Sequence, residues 1–151
     1  MGGSVEQIFI VPRSCETPIA VGSVQAHAGR GLEGDRNFSP SDRWIPTGCA
    51  ITLIEAEVIE AVLHEHGIDI MEGRSRRQIV TRGVRLNDLV GREFRVGPLR
   101  CRATELCEPC LDLQAHLGDP RTIKVLVHRA GVRGDILDGG ALCVGDPVEA
   151  T

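Results

Sequence analysis

Glycine sets the rhythm of this chain. Eighteen glycines and eight prolines are spread through 151 residues, and they cut the sequence into apolar runs that mostly suit strands rather than helices. Residues 5–11 read as a strand ended by Pro12, and residues 19–24, which contain Gly22, as a short or bulged one. Residues 49–54 read as a buried strand and residues 77–81 as another, followed by a turn at Gly83. Glu93–Val96 and Leu99–Leu106 pair as a hairpin across Gly97-Pro98. Strands near 134–137 and 141–144 flank the turn Asp138-Gly139-Gly140, and a last edge strand follows Gly145-Asp146-Pro147.

Helical signals are few. Residues 55–66 form the clearest, with Ile54, Val58, Ala61 and Val62 on one face, Glu55, Glu57 and Glu60 on the other, and Gly67 as the stop. A short helix is predicted over Leu111–Leu117, and Asp119-Pro120 supplies the cap and first-turn proline of another that runs through about His128. Many short strands and few helices predict a mainly β fold, a barrel or sandwich with peripheral helices. No internal repeat or linker interrupts it, so a single domain over residues 1–151 is expected. The longest irregular stretch is predicted at residues 28–48. Its first part carries three glycines in six residues, and its length is of the kind that carries function.

Composition narrows the function. Aromatic side chains are confined to Phe9, Phe38, Trp44 and Phe94, with no tyrosine, too few for the stacking platforms of single-stranded nucleic acid binders. A net charge of −4 provides no broad field for a phosphate backbone. No nucleic-acid partner is expected, and any anion is recognised locally. The first residues lack a secretory pattern, and no apolar run approaches the ~20 residues that cross a bilayer. A cytoplasmic protein without a membrane partner is predicted, its six cysteines (Cys15, Cys49, Cys101, Cys107, Cys110 and Cys143) reduced thiols rather than disulfides.

Three motifs bear chemistry. Cys107-Glu108-Pro109-Cys110 has the spacing of a zinc half-site, but no second pair completes it. It also lacks the βαβ context of a thioredoxin-type pair. What stays open is two packed cysteines at a strand end, or a single thiolate at Cys110 that holds a metal or attacks an electrophile. Gly31-Leu32-Glu33-Gly34-Asp35-Arg36 lacks the Gly-Lys-Ser/Thr ending of a nucleotide loop, so it is either a single-phosphate cradle or a tight turn. Arg74, Arg76 and Arg77 cluster ahead of a strand, and Arg133 is a candidate for the same surface. Such a cluster either is a solvated basic patch or binds phosphate or carboxylate. His128 is either a general acid–base group or a partner of a helix C-terminus.

In order along the chain, Gly31-x-x-Gly34-Asp35-Arg36, Arg76-Arg77-Gln78-Ile79-Val80-Thr81-x-Gly83 and Leu89-Val90-Gly91-x-x-Phe94-x-Val96-Gly97 are followed by Cys107-x-x-Cys110-x-x-Leu113. His128-Arg129-x-Gly131-x-Arg133 and Val144-Gly145-Asp146-Pro147-Val148 complete the series. This resembles the MOSC family, named for the C-terminal domain of molybdenum cofactor sulfurase, in a small stand-alone form. The resemblance implies a mainly β barrel-like fold that binds the molybdenum cofactor (molybdopterin), a pterin dithiolene with a phosphate tail. It implies Cys110 as the metal ligand, and Gly34, Asp35, Arg36, Arg76, Arg77, Thr81 and Arg133 as the cofactor-binding set. The activity implied is reduction of N-hydroxylated compounds, with electrons from a partner reductase. His128 or Asp35 would assist the proton step, and residues 39–48 would shape the substrate mouth. The alternative is a non-catalytic carrier of sulfur or cofactor, with a persulfide on Cys110 and a sulfur donor or acceptor protein as partner. Pyridoxal phosphate is not expected. One departure stands out: Gln78 occupies a position where the family commonly has asparagine.

Overall fold

The computed structural model describes residues 2–13, 16–41 and 43–151. Cys15, one of the six expected reduced thiols, lies outside the described residues, as does Asp42 of the predicted 39–48 loop. The strands are β1 (Gly3–Ile10), β2 (Ile19–Val21), β3 (Ser23–His27), β4 (Gly31–Leu32), β5 (Ile51–Glu55) and β6 (Ile79–Arg82). They continue with β7 (Glu93–Val96), β8 (Leu99–Leu106), β9 (Val132–Asp138), β10 (Gly140–Cys143) and β11 (Pro147–Ala150). The helices are α1 (Ala56–His66), α2 (Leu111–Leu117) and α3 (Thr122–Leu126), and Leu86–Leu89 form a single 3₁₀ turn.

Seven strands close into a barrel in the order β11-β7-β8-β9-β5-β6-β1, with β1 pairing back onto β11. One pair in it, β5 and β6, is parallel. Two parallel neighbours need a crossover, and α1 provides it between them. Because β6 takes one edge of β1, the other edge is divided. Gly3 and Ser4 face β11, while residues 8–10 face β2. A separate three-stranded sheet, β10-β3-β4, lies beside the barrel.

Two cores explain why several strands read as unbroken apolar runs. Successive side chains of a strand point to opposite faces. Accordingly Ile8, Leu53 and Ile79 belong to the barrel interior with Phe94, Val132 and Ile136. Their neighbours Phe9, Ile54 and Val80 belong to an outer layer with Val62, Leu113 and Leu126. The three helices therefore cover one flank of the barrel, and it is there that α2 carries its cavity-facing residues.

The structure corrects several local expectations. The last strand is no edge: β11 pairs with both β7 and β1. The strands flanking Asp138-Gly139-Gly140 do not pair with each other, since β10 pairs with β3. The turn therefore passes the chain from one sheet to the next. The predicted irregular segment 28–38 contains β4, whose two residues pair with Ala26 and His27. On α1 the buried residues are Ala56, Ile59 and Val62, with Val58 partly buried. Strand β5 extends through Glu55, so Ile54 is a strand residue and the helical face starts later. Helix α3 is five residues long. Asp119 does not cap it; its Oδ1 instead accepts the Arg121 N–H at 2.8 Å.

Phe94 is fully buried at the barrel centre. Phe94→Ala is expected to lower unfolding free energy by about 3–5 kcal/mol, read as a shifted urea midpoint with an unchanged slope.

Candidate functional site

The loop joining β8 to α2 carries the Cys-x-x-Cys motif, and it is held from three directions. The Cys107 N–H donates to the Gly131 carbonyl at 2.8 Å. From two residues ahead of β6, buried Arg77 donates Nε to the Ala130 carbonyl (2.8 Å) and Nη2 to the carbonyls of Cys107 (2.8 Å) and Glu108 (3.4 Å). The Glu108 carboxylate takes the His128 backbone N–H at 2.7 Å, and its second oxygen lies 2.7 Å from His128 Nδ1. Cys110 then enters α2 as its extended N-cap residue, its carbonyl accepting the Gln114 N–H. The result is an exposed thiol on a tied-down loop.

That thiol lines a cavity of about 580 Å³ together with Arg36, Arg76, Arg77, Asp112 and His116, over an apolar floor that includes Leu113. Three guanidinium groups face one carboxylate there, so the cavity favours an anion. Arg77 is committed to its three carbonyls. Arg76, held at a left-handed φ of 62°, donates Nη1 to the Glu16 carbonyl at 2.9 Å. Arg36 is anchored through its backbone N–H to Val11 O and is the exposed guanidinium of the three.

Two arms branch from this chamber. An inner one, about 170 Å³, shares Arg36, Arg76 and Arg77 and reaches Asp35, Thr52 and Gln78. An outer one, about 270 Å³, shares Arg76 and His116 and runs along Glu16, Pro18, Arg74 and Leu117.

The residues expected at the site are thus divided. Cys110, Arg36, Arg76 and Arg77 converge on one chamber. Asp35 borders the inner arm, but both its oxygens are engaged: Oδ1 accepts the Val11 N–H, and Oδ2 accepts from Asn37 N–H and Gln78 Nε2. Gly34, at φ 89°, forms the turn that presents Asp35. Gln78 spends its longer amide on structure, with Oε1 accepting the Thr52 N–H at 3.0 Å. Thr81 is fully buried in β6, its hydroxyl 3.5 Å from the Ile54 carbonyl. Arg133 pairs with Glu105 across β8 and β9 and lines none of the three spaces. His128 lines none of them either; its ring rests on Glu108. Among the described residues, none of 39–48 borders the chamber. Trp44 of that segment packs instead over Gly29, where a Cβ would collide with the indole.

Sequence reasoning did not single out Asp112 and His116 as site residues. The signal was present: four positions apart on a predicted helix, they share a face.

A match to the MOSC domain family model covers residues 33–149. The chain belongs to the MOSC domain family. Its fold is shared with solved structures of low sequence identity. The YuaD protein from Bacillus subtilis superposes with a TM-score of 0.81 at 15% identity, covering 99% of this chain and 96% of that one. YiiM from Escherichia coli gives 0.72 at 19% identity, covering 100% and 70%. YiiM from Geobacillus stearothermophilus gives 0.75 at 14%, covering 99% and 75%. No curated protein sequence matches the chain. Among the described residues no helix of this MOSC protein is long and apolar enough to cross a membrane. Nor does any group of three or more His, Cys, Asp or Glu side chains form a metal cage among them.

Two measurements test this description. Replacing Arg77 by Met leaves the carbonyls of Ala130 and Cys107 without their donor. Stability is expected to fall by about 2–3 kcal/mol, with faster amide hydrogen exchange over residues 107–110. The five described cysteines, all free thiols, are expected to react with iodoacetamide in a set order, followed by peptide mass spectrometry. Exposed Cys110, Cys49 and Cys143 react first. Burial raises the Cys107 thiol above its ordinary range, against the opposing charges of Arg77 and Arg133. A raised thiol forms thiolate only at higher pH, so the Cys107 rate should keep climbing past about pH 9. Cys101, fully buried and pushed up to about 12, should stay unmodified until the barrel unfolds.

Proposed function

We propose that this MOSC protein binds a molybdenum cofactor in the Cys110 chamber and reduces N-hydroxylated compounds with it. One observation carries the reading: an exposed thiol and guanidinium groups open onto a common cavity. The donor set suits the group. A thiolate is the soft ligand that molybdenum with dithiolene sulfur favours, and arginine forks match a phosphate tail. The chamber's volume also lies within the ordinary range of small-molecule sites.

In this reading Cys110 holds the metal, while Arg36 and Arg76 receive the anionic tail. Arg77 acts one step back, fixing the loop so that the thiol keeps its place. The inner arm, walled by Gln78 and Thr52 that are held to each other and to Asp35, gives a pterin a rigid polar surface to lie against. When bound, the cofactor supplies the two-electron chemistry that cleaves an N–O bond. Electrons come from a partner reductase.

Elemental analysis of protein made in a cofactor-competent host tests the assignment. Near-stoichiometric molybdenum is expected, and Cys110→Ala should weaken its retention by at least ~10-fold, whereas Cys107→Ala should keep most of it. Molybdenum unchanged by Cys110→Ala overturns the ligand role. Sulfane sulfur on Cys110 of metal-free protein, seen by intact-mass measurement, would move the assignment to a sulfur carrier.

A further inference from the structure

Cleaving the N–O bond of a hydroxylamine-type substrate needs protons as well as electrons. The balance is R–NHOH plus two electrons and two protons giving R–NH₂ and water. The N–O bond breaks, nitrogen is reduced, and the leaving hydroxyl departs as water only if a proton reaches its oxygen. Neither residue first considered for this task faces the chamber in a suitable form. His128 rests on Glu108, outside it. Asp35 has both oxygens committed to N–H donors.

His116 meets the requirement. It is exposed, and it lines both the chamber that holds Cys110 and the outer arm. It stands near the C-terminal end of α2, the short helix that Cys110 precedes as N-cap. From Leu111 to His116 the helix rises about 7.5 Å, so the imidazole and the thiol line the one cavity from opposite ends of α2. Beyond it the outer arm combines the apolar surfaces of Pro18 and Leu117 with Glu16, Thr17 and Arg74. At about 270 Å³, that space suits a small organic molecule with an apolar body.

The geometry points to His116 as the proton donor of the reaction, acting on a substrate whose body occupies the outer arm and whose N–OH projects toward Cys110. The inference rests on the cofactor reading above. Asp112, four positions earlier on α2, is the carboxylate of its own helix that lines the same chamber as the imidazole. The other charged groups around it are Arg36, Arg76 and Arg77 across the chamber, and Glu16 and Arg74 along the arm. Arg74 is paired with Asp69 at 2.8 Å. The second proton, to nitrogen, comes from solvent through the open mouth, and the electrons come from reduced viologen in the assay.

The test uses the molybdenum-loaded protein with benzamidoxime as substrate. His116→Gln is expected to lower kcat about 100-fold or more with molybdenum content unchanged. Added imidazole should restore part of the rate to His116→Ala, and His64→Gln, on α1, should leave it intact. In parallel, the ring signals of ¹³C-labelled histidine are followed as benzamidoxime is added, with saturable movement expected for His116 and none for His64. Full molybdenum with undiminished turnover in His116→Gln overturns the proposal and leaves the cofactor reading standing. Wild-type protein without molybdenum sinks the cofactor reading instead, and the NMR titration then decides on its own. A saturable shift keeps His116 beside the substrate, and an unmoved signal removes it.

Discussion

The guanidinium of Arg77 is the interaction on which the site depends. It sits where the chain enters β6 and reaches the carbonyls of Ala130, Cys107 and Glu108. Three segments far apart in sequence are thereby gathered at one point. A buried cation with three carbonyl partners satisfies both sides of the contact, since carbonyls left without donors in a low-dielectric environment are costly. The same contact decides what Arg77 does toward a ligand. Its charge reaches the chamber, but its N–H groups are largely spent on the loop. In the proposed reading, direct recognition of an anion would fall to Arg36 and Arg76. Two arginines adjacent in sequence thus divide the work of building the wall and presenting charge, helped by the left-handed turn at Arg76.

Much of the barrel was legible in the sequence because its strands are short and bounded by glycine. Glu93–Val96, Leu99–Leu106 and Leu111–Leu117 stand where their residues predicted. What could not be read was pairing. Nothing local in residues 140–143 says that this strand leaves β9 for β3, and nothing in residues 147–150 says that it meets β1. Those choices are made by which apolar faces can be buried together. The helical face of α1 was misplaced for a related reason: an apolar run such as 51–54 supports a strand and a helix start equally well.

The site was legible in part. Cys110 and the arginines were found because thiols and clustered guanidinium groups are scarce and chemically loud. Gly34 and Asp35 were noticed for the same loop that proves to be built around Asp35's hydrogen bonds. Arg133 and His128 have the right chemistry, but their partners Glu105 and Glu108 hold them elsewhere. Asp112 and His116 were passed over because their significance lies in which face of α2 meets the chamber, and that depends on the outer core of Leu113, Val62 and Leu126.

Strand β1 pairs with three others, β2, β6 and β11, and its contact with β11 joins Gly3 to Val148. A segment near a chain's start would ordinarily be the first to fray. Here it is locked into the ring, so releasing it opens the whole wall rather than peeling off a margin. Its amides should therefore belong to the slowest class, exposed only when the domain unfolds as a unit. Forming that junction means bringing together residues from opposite ends of the sequence, a non-local closure of the sort that slows folding.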